Sequence, residues 1–107
     1  MYIEENFYAE YPDLCKILPT IIEMHPNGML EKIGERRWVY RSFEKREIAD
    51  ILIINSSEKF MDVKLTFPGY GRVDISVKKL DGICECYIGS NSRELFEKFK
   101  GVLKSGN

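Results

Sequence analysis

The chain has 107 residues, 44% apolar and 31% charged, with 16 lysines and arginines against 17 aspartates and glutamates. This is the size of a single domain, 1–107, with apolar content for one hydrophobic core. The near-zero charge balance excludes a disordered polyelectrolyte and a protein that holds nucleic acid by bulk charge, and no apolar run approaches a membrane span.

The first segment, 2–11, is acidic and aromatic, with Tyr2, Phe7, Tyr8 and Tyr11 among Glu4, Glu5 and Glu10. It carries neither the positive region nor the apolar core of a signal peptide. It has two readings. It packs on the chain's own Arg-rich strand, within the molecule or across a homodimer, or it presents aromatic anchors to a partner. Pro12 stands where a helix can start, and Leu14, Ile17, Leu18, Ile21 and Ile22 fall on one helical face. Pro19 is expected to kink that helix, and His25-Pro26-Asn27-Gly28 to end it.

Beyond Gly28 the period changes. Residues 36–43 read as a strand, with Arg37, Val39 and Arg41 on one face and Arg36, Trp38 and Tyr40 on the other. Residues 48–54 are the most continuously apolar stretch and fit a central strand, with a short helix over 44–50 as the alternative. Residues 61–67 alternate, with Val63, Leu65 and Phe67 inward. Pro68-Gly69-Tyr70-Gly71 is a turn, Val73, Ile75 and Val77 face inward, Asp81-Gly82 signals a hairpin, and 83–88 form the next strand. The last element is an amphipathic helix with Leu95, Phe96, Phe99, Val102 and Leu103 in one stripe, capped by Asn91 with Glu94 in capping-box position and stopped at Gly106. The expected fold is α+β: a two-layer sandwich with an antiparallel meander of four or five strands and both terminal helices on one face.

The chemistry-bearing residues are few. Cys15, Cys84 and Cys86 are an odd set without disulfide spacing, which points to a reducing, cytoplasmic setting. With His25 they could make a zinc set, but Cys84 and Cys86 are separated by one residue where zinc ligands use wider gaps; the simpler reading is the inward face of a strand. His25 is the only imidazole, no serine sits in a nucleophile elbow, and Gly69-Tyr70-Gly71 lacks the context of a phosphate loop. No catalytic, metal or cofactor-binding residues are assigned. The segment Arg36-Arg37-Trp38-Val39-Tyr40-Arg41, followed by Lys45 and Arg46, interleaves cations with aromatics, a combination that can grip single-stranded nucleic acid. Its plainer reading is a strand whose Arg stems cover apolar surface.

Residues 63–103 carry an alternating strand ending at Pro68, then Gly71-Arg-Val-Asp-Ile-Ser-Val77, an Asp81-Gly82 turn, a further strand and a helix entered through Arg93-Glu94-Leu95. This pattern resembles the C-terminal domain of flagellar hook-length control proteins, the substrate-specificity switches of type III export. The usual Pro-x-x-Leu-Gly of that family is replaced here by Pro68-Gly69-Tyr70-Gly71. The resemblance implies binding to the cytoplasmic domain of an export-gate protein, with 68–73 near the contact, and no catalysis.

These observations lead to the expectation of a small non-catalytic protein–protein interaction module: an adaptor, an inhibitor or an export-switch-like domain. The expected contact residues are Arg36, Arg37, Trp38, Tyr40, Arg41, Tyr70 and Tyr87. A protein partner is expected and no membrane; a nucleic-acid binder using 36–46 and an enzyme with an unrecognised site are the alternatives.

Overall fold

The computed structural model describes residues 1–104. Seven strands form one antiparallel sheet: β1 (Ile3–Ala9), β2 (Gly28–Gly34), β3 (Arg37–Ser42), β4 (Glu47–Ser56), β5 (Phe60–Phe67), β6 (Gly71–Lys79) and β7 (Cys84–Ser90). A 3-10 turn (Leu14–Lys16) leads into helix α1 (Ile17–Met24), and α2 (Arg93–Lys104) follows β7. The spatial order is β1-β7-β6-β5-β4-β3-β2. The fold is α+β in broad terms, but the expected sheet of four or five strands is corrected to seven. The strands added are β1 and β2, one at each edge.

This order fixes the path of the chain. Strands β2 to β7 are a meander, each beside its sequence neighbour, and β1 adds to β7. The chain therefore leaves one edge after β1 and starts again at the other with β2. Six strand spacings, roughly 29 Å, separate the two, and α1 lies on the crossing.

One face of the sheet holds the core. Leu65, Phe67, Val73, Ile75, Cys86 and Ile88 meet Leu95, Phe96, Phe99 and Leu103 of α2, with Ile17 and Ile21 of α1. Helix α2 covers β1, β7 and β6 and touches α1. Glu5 of β1 faces the same way and is held by Lys100 at 2.9 Å and Lys104 at 3.7 Å. Among the described residues no helix lies over the opposite face.

Several local expectations are corrected. Pro19 lies in the first turn of α1, where its missing N–H breaks no helical bond, and the irregularity falls upstream as the 3-10 turn that Asp13 caps through the Cys15 N–H. Residues 44–46 are a turn rather than a helix, with Lys45 at φ 67°, and β4 begins at Glu47. Ser92, not Asn91, caps α2: its hydroxyl accepts from the Leu95 N–H at 3.3 Å. Asn91 is occupied elsewhere, accepting from the Arg72 N–H at 2.8 Å. The expected stop at Gly106 lies outside the described residues. The acidic-aromatic N-terminus does not pack on the Arg-rich strand of its own chain, because β1 and β3 are separated by β7, β6, β5 and β4.

Candidate functional site

Helix α1 has eight residues, about 12 Å of length, and cannot cover the half of the sheet that α2 leaves bare. A groove of about 210 Å³ remains between them. Leu14, Ile17 and Leu18 form its helical wall. Its floor is Leu30 from β2, Trp38 from β3, Ile51 and Ile53 from β4, and Met61 and Val63 from β5. Every lining residue is apolar. Lys32 marks the rim, its ammonium 5.5 Å from the centre of the Trp38 ring.

The groove opens towards β2, whose outer edge pairs with no strand among the described residues. Met29 is 63% exposed, Leu30 41% and Ile33 42%. An edge strand is ordinarily protected by charge, proline, a bulge or a covering element. Here the register slips between Lys32 and Gly34, which makes Ile33 a bulge at one end; Gly28 to Lys32 run regularly against Ser42 to Trp38.

The two sheet faces divide the expected contact residues. Trp38 is half-buried in the groove. Tyr40 is 2% exposed and donates its hydroxyl to the His25 carbonyl at 2.6 Å, so it offers no surface to a partner, which corrects its assignment. Gly28 makes this possible: a Cβ there would come within 2.7 Å of the Tyr40 ring end. Arg37 and Arg41 lie on the opposite face. Arg37 is bonded through two nitrogens to Asp50, which raises its already high pKa, and Arg41 lies 3.3 Å from Glu31. Arg36 is exposed. Tyr70 is 78% exposed at the β5–β6 turn. Arg37 and Arg41 thus do not share a face with Trp38 and Tyr40.

Tyr87 belongs to a polar cluster on the open face. It donates to Glu4 at 2.7 Å, while Tyr2 donates to Asp74 at 2.6 Å and carries Arg72 over its ring at 5.4 Å. Burial, then the Asp74 carboxylate, pushes the Tyr2 phenol well above its ordinary pKa, and burial raises that of Tyr87. Both phenols stay protonated as donors. Gly89 lies beneath these two hydroxyls, and a Cβ there would meet both. This cluster ties β1 to β6 and β7. A hollow of about 290 Å³ beside it includes Asn6, Asp62, Lys78 and Glu85, groups of both charges around Ser76.

The four sulfur and imidazole groups do not converge: among the described residues no three His, Cys, Asp or Glu side chains gather as a metal site. Cys15 is exposed, Cys84 half-buried and Cys86 fully buried, all as free thiols. Burial, reinforced by Cys84, pushes the Cys86 thiol up to about 11. His25 follows α1, with its Nδ1 enclosed and without a hydrogen-bond partner among the described residues. Among the described residues no helix is long and apolar enough to cross a membrane. The apolar groove and its bare edge strand were missed by sequence reasoning; the exposed apolar residues of 29–33 were the only signal. No family model, no curated protein and no solved structure matches the chain.

Proposed function

We propose that this chain is a small protein–protein interaction module that docks its partner at the groove beneath α1 and along β2. The observation that carries this reading is the groove itself: nine apolar side chains beside an unpaired strand edge. An edge supplies main-chain hydrogen bonds to an added strand, and a neighbouring apolar slot supplies side-chain specificity. Among the groove's lining side chains the Trp38 indole N–H is the single polar group, whereas a metabolite site ordinarily supplies several to orient a small polar substrate. The free thiols fit a reducing, cytoplasmic setting.

This reading shifts the expected contact surface. Trp38 remains part of it as the groove floor, and Leu30 and Met29 join it. The test is a photo-crosslinking amino acid placed at Leu30, compared with one at Lys64 on the open face, in cells that make the protein. Adducts that map to one defined partner segment from position 30 and are missing from position 64 support the reading. Equal or absent adducts at both positions contradict it.

A further inference from the structure

We propose that the partner on β2 is a second copy of this chain, paired antiparallel across a two-fold axis through Leu30. This rests on the docking reading above and names its occupant.

The strand's own sequence selects that register. Two copies of one edge strand, related by a two-fold axis normal to the sheet, must oppose residues of the same face. Every axis through a residue keeps this parity; one through Met29 pairs no more than Gly28 to Leu30, and three others lie near the strand centre. An axis through Lys32 opposes two ammonium groups with no acid between them. An axis through Glu31 opposes two carboxylates and brings the irregular end at Ile33 into the ladder. An axis through Leu30 opposes Leu30 to Leu30, Met29 to Glu31 and Gly28 to Lys32, so no like charges meet. It uses the regular stretch Gly28 to Lys32 and stops where it must. The bulge ends the ladder on one side; Pro26, which has no N–H to donate, ends it on the other.

The consequences fit the exposure. Leu30 lines the groove, so the axis would join the two grooves into one apolar trough on a single face. The opposite edge offers no equivalent site: β1 is charged at Glu4 and Glu5, and Glu5 is clamped to α2. A ladder of this length lies at the small end of specific interfaces, so the dimer should assemble and dissociate with concentration.

Sedimentation equilibrium on the full chain, with Cys15→Ser to remove the exposed thiol, reads the assembly. Mass should rise from monomer to dimer with concentration, and Leu30→Lys should hold it at monomer. Register is read by oxidation. Directly opposed strand residues have Cα atoms about 4.5–5.5 Å apart, within disulfide reach. Leu30→Cys should therefore cross-link into a dimer, and Met29→Cys and Glu31→Cys should not. A Cys15→Ser chain that stays monomeric throughout, or a cross-link from Glu31→Cys in place of Leu30→Cys, overturns the proposal. The photo-adducts from position 30 separate its failure from that of the docking reading. Adducts to a different protein overturn the second copy alone; no adducts overturn both.

Discussion

Replacing Gly89 by alanine tests how β1 is held to the sheet. A Cβ at Gly89 would lie 2.5 Å from the Tyr87 hydroxyl and 2.7 Å from Tyr2 Cζ, and nearer still to the Tyr2 hydroxyl. Tyr87 stands on a strand paired on both sides, whereas Tyr2 precedes β1 near the chain start and is 38% exposed. Tyr2 is the ring that is expelled, and the Tyr87 hydroxyl shifts by a few tenths of an ångström to clear the Cβ. Its expulsion forfeits the bond to Asp74 and the stacking of Arg72. A hydrogen bond to a charged group contributes about 1.5–3 kcal/mol when shielded, about 1 kcal/mol at this exposure, and the stacked cation adds about 0.5 kcal/mol. Gly89→Ala should therefore cost about 1.5 kcal/mol by these terms. Tyr2→Phe alone removes only the hydroxyl bond, about 1 kcal/mol. In the Gly89→Ala background, Tyr2→Phe should cost nothing further, a coupling of about 1 kcal/mol. Urea unfolding of the four chains measures it. Costs that simply add, or a Gly89→Ala chain as stable as wild type, would refute the displacement of Tyr2.

Three other outcomes follow from the same geometry. Glu5 has its pKa depressed, first by the hydrogen bond from Lys100, so its stabilisation is present above the ordinary carboxylate pKa of about 4.3 and is lost as pH falls through the lowered value; urea midpoints of wild type and Glu5→Gln should differ at pH 7 and converge in acid, and a gap that persists there would contradict the pairing. Ser92→Ala should cost about 1 kcal/mol and speed amide exchange in the first turn of α2, whereas Asn91→Ala should free the Arg72 amide and leave the helix alone. A thiol-alkylating reagent at neutral pH should modify Cys15 in the folded protein and reach Cys86 only on unfolding, as read by peptide mass; equal rates would argue against the burial that raises the Cys86 thiol.

The central sheet was legible because its strands have one buried face. Val63, Leu65 and Phe67, then Val73, Ile75 and Val77, alternate with polar residues and cannot slip register without exposing the core. The edge strands lack that constraint. In β1 the inward position Glu5 breaks the apolar period, and only the lysines of α2, ninety-five residues away for Lys100, make a carboxylate acceptable there. In β2 no face is buried, so Met29, Leu30 and Ile33 show helical rather than alternating spacing. The groove was hidden for a related reason. It results from how far a short helix reaches across a seven-stranded sheet, and neither the strand count nor the crossing can be read from local pattern. The Arg-aromatic segment was read correctly as a strand with two faces. Its tertiary partners decide what each face does.

Those partners give the arginines of β3 a structural role that can be measured. Val39 is 1% exposed although it lies on the face without helices. Its cross-strand neighbours are Glu31 and Asp50, and Arg37 and Arg41 flank it two residues either way. Arg37 reaches Asp50 and Arg41 reaches Glu31, so the two ion pairs run diagonally past Val39 on either side. Exposed ion pairs contribute little by Coulomb attraction, but the arginine stems can shield a methyl surface. The ceiling on that shielding is the burial of one valine side chain, about 1.5–3 kcal/mol. Arg37→Met and Arg41→Met, which keep a stem and lose the charge, should therefore remain close to wild type in thermal unfolding, while Arg37→Ala and Arg41→Ala should fall below them, by a margin that salt does not remove. If the methionine and alanine chains melt together below wild type, and high salt lowers wild type to meet them, the guanidinium charges rather than their stems hold this face.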